Sequence, residues 1–166
     1  MAAARGVTYT LYRRQLIPAA MDEVFAFFED PHNLAGITPP WLGFTVLSSS
    51  DAQVREGTRL AYRMRVFRVP FRWEARIPVF VRGERFVDEM TRGPYARWYH
   101  RHLFRAVPEG VEMEDIVEYA LPLGPIGTLA HALFVRRQVA EIFDYRAARV
   151  AERFARDTAH HGVHRT

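Results

Sequence analysis

The chain has 166 residues, 49% of them hydrophobic and 13% aromatic, enough for a single domain with a sizeable core and for aromatic walls around a cavity. It contains no Cys, which excludes disulfides, thiol catalysis and thiolate metal sites and fits a reducing, cytoplasmic setting. The formal net charge of +4 rests on 23 Arg and no Lys, and these are interleaved with acids and aromatics rather than gathered into a tail, which argues against a nucleic-acid partner.

Residues 1–6 lack the apolar run of a signal peptide and are expected to form a loose leader. Thr8 to Ile17, rich in β-branched and aromatic residues, predicts a first strand, and Pro18 ends it. Residues 21–28 predict a short helix with acids in its first turn, where they suit the helix dipole. Residues 32–37 predict a second short helical turn, and Thr38-Pro39-Pro40 an extended path into Trp41-Leu42-Gly43-Phe44.

From Phe44 the chain reads as a meander, with strands over 44–48, 59–67, 71–81, 86–91, 96–106 and 112–121. Loops and turns are expected at 48–51, 56–57, 68–70, 83, 92–94 and 108–110. Leu60, Tyr62, Met64 and Val66 alternate with Arg59, Arg63 and Arg65. Phe71, Trp73, Ala75 and Ile77 alternate with Arg72, Glu74 and Arg76. Such alternation gives a sheet one dry face and one wet face.

Pro122, Gly124 and Pro125 then break the last strand, and the pattern becomes helical. Apolar residues recur at Leu129, Leu133, Ala140, Phe143, Ala147, Val150 and Phe154, beside a stripe of Ile126, Ala130, Phe134, Val139 and Ile142. A helix of about 30 residues is about 45 Å long. Its wide apolar face must be covered, and the sheet is the available partner. Beyond Phe154 the sequence turns polar, so one domain spans 1–166 with its core over about 8–154 and a loose tail over 155–166. No stretch approaches the ~20 apolar residues of a membrane span.

Hairpin registry decides which side chains share a face. With Glu109-Gly110 as the turn, Phe104 lies opposite Asp115, His102 opposite Val117 and His100 opposite Tyr119. One face then carries Trp98, His100, His102, Phe104, Asp115, Val117, Tyr119 and Leu121. A tight turn after Thr91 adds Val87 and Glu89 to it. Polar groups — two His, Asp115, Glu89, Tyr119 and Tyr62 — thus stand among large apolar ones, on the face the long helix covers. Buried Asp, Glu and His each need a hydrogen-bond partner. The cluster is therefore either a satisfied network or a set of polar handles in a ligand cavity.

Several local patterns sit on this order of elements. They are Ile37-Thr38-Pro39-Pro40-Trp41-Leu42-Gly43-Phe44, Phe86-Val87-Asp88-Glu89, Gly93-Pro94-Tyr95, Trp98-x-His100-x-His102-x-Phe104, and Asp115-x-Val117-x-Tyr119-x-Leu121-Pro122-x-Gly124. Together they resemble the START/Bet v 1-like (SRPBCC) superfamily, and within it a ligand-binding, polyketide cyclase/dehydrase-like branch, over roughly residues 8–154. The resemblance implies an α+β helix-grip fold: two short helices after strand 1, and an antiparallel meander sheet wrapped around a long C-terminal α-helix, with a cavity between them. Members bind lipids, sterols, polyketides and plant hormones. Some are cyclases or dehydratases and others carriers or chaperones, so the fold does not select a function.

The expected function is binding of a small or mid-sized hydrophobic molecule between sheet and helix, without a cofactor. Expected contacts are Tyr62, Trp73, Glu89, Trp98, His100, His102, Phe104 and Tyr119 from the sheet and Leu129 and Leu133 from the helix, with Asp115 helping to orient a polar end. The alternative is a cyclase or dehydratase in which Glu89 beside His100, or a His–Asp115 pair, acts as base and a phenol of Tyr62 or Tyr119 polarises a carbonyl. A third reading is an interaction module with a closed core and an apolar patch around Trp41 to Phe44. His100 and His102, two apart on a strand, have metal-ligand spacing with Asp115 or Glu89. Hydrogen bonds that orient the rings are the favoured account of them, and no metal is expected there or at His160, His161 and His164. Gly124-Pro125-Ile126-Gly127 lacks the Lys of a phosphate loop and reads as a strand-to-helix corner. Arg136-Arg137 is read as solvated, the alternative being an arginine that pairs with a ligand carboxylate at the cavity mouth.

Overall fold

Alternating strands build one antiparallel sheet and the helical third of the chain covers its dry face. The computed structural model describes residues 7–161, with side chains as far as residue 155. The strands are β1 (Thr8–Ile17), β2 (Thr45–Ser49), β3 (Arg59–Val66), β4 (Val69–Val81), β5 (Arg85–Arg92), β6 (Arg97–Val107) and β7 (Gly110–Ala120), in the order β1-β7-β6-β5-β4-β3-β2. Between β1 and β2 lie α1 (Met21–Glu29), α2 (Asn33–Gly36) and a 3₁₀ turn (Pro40–Leu42). After β7 come α3 (Gly124–Ala130), a π-helical turn (His131–Val135) and α4 (Arg136–His161). Ala130, His131 and Arg136 all keep right-handed helical angles, so these three run on as one helix. This is the α+β helix-grip architecture expected. The leader at 1–6 and residues 162–166, His164 among them, lie outside the described residues, as do the side chains of His160 and His161. The helix continues past Phe154 to His161 rather than giving way to a tail at 155.

Three turns differ from the sequence reading, with different consequences. In the β6–β7 hairpin Val107 pairs with Gly110, leaving Pro108-Glu109 as the turn. His102 therefore faces Asp115, His100 faces Val117 and Phe104 faces Met113. The shift is two residues, so every side chain keeps its expected face. Between β5 and β6 the offset is one residue: Asp88 pairs with His100, and Glu89 with Tyr99. That exchanges Glu89 for Asp88 on the dry face. In the β3–β4 hairpin Val66 pairs with Val69, so Phe67 and Arg68 form the turn, with φ of 50° and 67°. Pro70 stands inside β4 opposite Arg65.

The helix packs on the sheet through Val135, Val139, Phe143, Val150 and Phe154. Its early phase also differs from the expectation. Leu129 and Leu133 are 60% and 59% exposed, whereas Gly127, His131 and Val135 are buried. The inward residues from Gly127 to Phe143 thus recur every four positions. In an α-helix of about 100° per residue each such step drifts by about 40°. The wider π turn at His131–Val135 takes up that drift and keeps the face on the sheet. Leu123, Ile126, Leu129, Leu133 and Phe134 are left outward.

Below the α1 end of the sheet, Phe25 packs on Phe104 with ring centroids 4.6 Å apart. Val24, Ile17, Val111 and Met113 complete that region. This part of the interior is filled.

Candidate functional site: a cavity between sheet and helix

Further along the helix the interior is not filled. A cavity of about 80 Å³ lies between sheet and helix. Its sheet wall is Tyr62, Met64 and Val66 of β3, Trp73 of β4, Asp88 of β5, and Trp98 and His100 of β6, with Tyr95 at the β5–β6 bend. Gln138, Ile142, Phe143 and Arg146 of α4 form the opposite wall. Leu34, Thr38, Leu42 and Phe44, from the α2 segment and the chain after it, close the roof. An adjoining compartment of about 50 Å³ shares Leu34, Tyr62, Asp88 and Arg146 and reaches His102. The aromatic wall is rigidly interlocked: Trp73 meets Trp98 edge-on at 5.3 Å, and Phe44 lies 4.9 Å from Tyr62.

Polar atoms interrupt this apolar lining. Asp88 Oδ1, Arg146 Nε and Gln138 Oε1 are sealed from bulk water and have no hydrogen-bond partner among the described residues. Arg146 makes no ion pair among those residues either; its guanidinium lies 5.1 Å from the Phe143 ring centroid. Burial lowers the Arg146 pKa, an effect opposed by Asp115, Asp88 and Tyr62. Burial raises the Asp88 carboxyl, opposed by His102 and Arg146. It also raises the Tyr62 phenol well above its ordinary value, and Asp88 adds to that.

His100 borders the cavity, and one of its ring nitrogens is committed. Nε2 lies 2.7 Å from Asp115 Oδ1 in a buried hydrogen bond. His102 Nδ1 approaches the same oxygen at 3.2 Å, off the line of a good hydrogen bond. Burial pushes the His100 pKa down to about 3, and His102 adds to the effect, while Asp115 opposes it. Asp115 is itself buried, yet the hydrogen bond from His100 and the closeness of both imidazoles hold it far below the usual carboxylate range. The arrangement is a neutral imidazole donating Nε2–H to an ionised carboxylate. His100, His102 and Asp115 could hold a divalent metal, since their donor atoms lie within 4.8 Å of one another. Of these atoms His100 Nε2 and Asp115 Oδ1 are already hydrogen-bonded to each other, and His102 Nδ1 lies beside the same oxygen without a partner among the described residues.

The expected site residues divide accordingly. Tyr62, Trp73, Trp98 and His100 line the cavity, and His102 borders the second compartment. Asp115 lies behind the two histidines. Phe104 belongs to the filled core against Phe25. Tyr119 points to the π turn, where its hydroxyl meets His131 Nε2 at 2.9 Å and Tyr9 stacks on that imidazole at 3.3 Å. Glu89 lies on the other face of the sheet and pairs with Arg76 at 2.7 Å. Leu129 and Leu133 face outward for the helical reason given above. Arg136 and Arg137 are exposed, and Arg137 pairs with Glu141 at 2.7 Å. The residues that sequence reasoning missed are Asp88, Gln138 and Arg146. Arg146 had a signal: three residues after Phe143 and four before Val150, it is a charge on the buried stripe of the helix.

No family model matches the chain, and no curated protein does. Solved structures do match. A START superfamily protein from Mycobacterium smegmatis superposes with a TM-score of 0.63 at 10% identity, over 89% of this chain and 97% of that one. The chain has the START-superfamily fold. A protein from Thermus thermophilus gives a TM-score of 0.66 at 21% identity, over 90% of this chain and 99% of that one. A protein from Chromobacterium violaceum gives 0.62 at 17%, over 87% and 96%. At such identities the likeness to these proteins concerns the fold alone. No helix among the described residues is long and apolar enough to cross a membrane.

Proposed function

We propose that this START-fold protein binds a small hydrophobic molecule in the cavity between β3–β6 and α4. The observation that carries the reading is an apolar, aromatic-walled void whose few polar atoms, on Asp88, Gln138 and Arg146, find no partner among the described residues. A void kept only by imperfect packing would be lined by apolar groups; orphaned polar groups at its wall call for something to meet them. Compartments of about 80 and 50 Å³ favour the small end of the ligand range, with shift of the Leu34–Phe44 roof admitting anything larger. Burial of the ligand's apolar body supplies the affinity, at about 25 cal/mol per Å² before the costs of association. Trp98, Trp73 and Tyr62 supply the contact.

A cyclase or dehydratase has less support. Glu89 is on the far face, and although His100 keeps a lone pair on Nδ1 while Nε2–H goes to Asp115, burial holds its pKa down to about 3, which makes it a weak base at neutral pH. A closed-core interaction module has less again, because the core is not closed.

The test is thermal shift against short-chain, aromatic and polycyclic compounds, with mass detection of cargo carried from cells. A ligand at about 100 times its Kd adds about 2.7 kcal/mol to folding stability. Stabilisation that Trp98→Ala removes supports the reading. No stabilisation by any class, and no cargo, would overturn it.

A further inference from the structure

Arg146 is a cation that reaches the void, and no carboxylate among the described residues pairs with it. It sits between Phe143 and Val150 on the stripe of α4 that packs against the sheet, and it borders both compartments. Arg146 is half-buried with its Nε sealed, and a guanidinium drawn even partly out of water is costly unless its planar N–H donors are matched; the group that matches them in shape and charge is a carboxylate. Asp88 does not take that role. It borders the same two compartments, yet its Oδ1 is unpartnered and no ion pair joins it to Arg146 among the described residues. The two charges share one void without a direct bond. Gln138, two turns before Arg146 on the same helix face, adds an amide whose Oε1 is also unpartnered.

We infer that the ligand is a small organic acid, an aromatic or short aliphatic body whose carboxylate pairs with the Arg146 guanidinium inside the cavity. The inference rests on the ligand-binding reading above and names the chemical class that site takes. The body lies against Phe44, Met64, Trp73 and Trp98. Asp88 then stands beside an incoming anion. It is accommodated either by an O–H or N–H donor on the ligand or by holding its own proton, which burial already favours. The competing account is a water-bridged Arg146–Asp88 pair that serves only the fold.

Matched ligand pairs separate these. Cinnamate against cinnamamide, 4-phenylbutyrate against 4-phenylbutanol, and hexanoate against hexanol differ mainly in the charged group. By calorimetry, the acid of at least one pair is expected to bind wild-type protein about tenfold or more tightly than its neutral partner, as a charge-assisted hydrogen bond implies. Arg146→Gln removes that preference and leaves affinity for the neutral compound within about twofold. Asp88→Asn, which removes the like charge and keeps the shape, tightens the acid and not the neutral compound. These opposite effects are not what loss of a structural ion pair produces. Should Arg146→Gln fail to fold, the wild-type pairs and Asp88→Asn carry the test. Equal affinity for acid and neutral partner, or an acid preference that survives Arg146→Gln, overturns the inference and leaves hydrophobic binding standing. Failure of every compound, neutral ones included, to bind wild-type protein overturns both.

Discussion

His100 ties the stability of the fold to pH. Its imidazole titrates near 6.5 when free and near 3 in the folded protein, chiefly because burial disfavours the charged ring. Between those values the unfolded chain takes up a proton that the native chain refuses. Stability is therefore full above the unfolded value and falls as pH drops, by up to about 1.4 kcal/mol per pH unit. Asp115, depressed in the folded state, holds its contribution above its own unfolded value of 3.8 and loses it only below. His131, lowered by burial and by Arg136, adds a slope of the same sign as His100. Urea unfolding from pH 7 to pH 4 should show declining stability, and His100→Gln, which keeps an N–H for Asp115, should flatten the decline; an equal slope in both proteins would refute the account. A second residue-scale constraint is steric. A Cβ on Gly127 would lie 2.2 Å from the Pro122 carbonyl oxygen, a contact with backbone that cannot swing away. Gly127→Ala should lose at least about 2 kcal/mol, read as a lower urea midpoint with unchanged slope.

The elements show where sequence pattern and structure part company, and why. The strands of β3 and β4 were legible because each has one face on the helix and one in water, and side chains then alternate by necessity. The β3–β4 turn was not, since Pro70 suggests a turn while the chain bends earlier, at Phe67-Arg68. Two non-glycine residues at positive φ are strained there, and Asn-Gly suits that geometry. Phe67→Asn with Arg68→Gly should raise stability by about 1 kcal/mol; a loss would mean that Phe67, which meets Phe134 edge-on at 6.3 Å, contributes more by contact than it costs in strain. The β5–β6 bend over 93–96 set a parity that spacing does not reveal, which is how Glu89 and Asp88 exchanged faces. On the helix, Phe143, Val150 and Phe154 followed the 3.6-residue period, but the π turn reset the phase before them. Leu129 and Leu133 look inward by period and outward in space. The site was half legible for the same reasons: Trp73, Trp98 and His100 came from strands whose parity held, and Arg146 was hidden only because a charge on an apolar stripe is ordinarily read as a solvated edge.

At the scale of the molecule, one sheet and one helix enclose two different interiors. Phe25, Phe104 and Met113 fill one part of the interior, while the space beside Tyr62, Trp98 and Arg146 stays open. Protein interiors pack to the density of organic crystals, so an unfilled region weakens folding in proportion to its volume. If the void is the binding site, filling it from within should trade binding for stability. Leu34 is the residue to change. It is partly buried, belongs to the roof rather than to the sheet, and touches both compartments. Leu34→Phe places a ring into that space without altering any charged group. Stability should hold or rise by about 1 kcal/mol, while ligand-induced thermal shift disappears. Loss of stability together with loss of binding would mean that the roof is already tightly packed. Binding retained at full affinity would place the ligand away from Leu34, toward Val66 and Gln138 at the far end of the cavity.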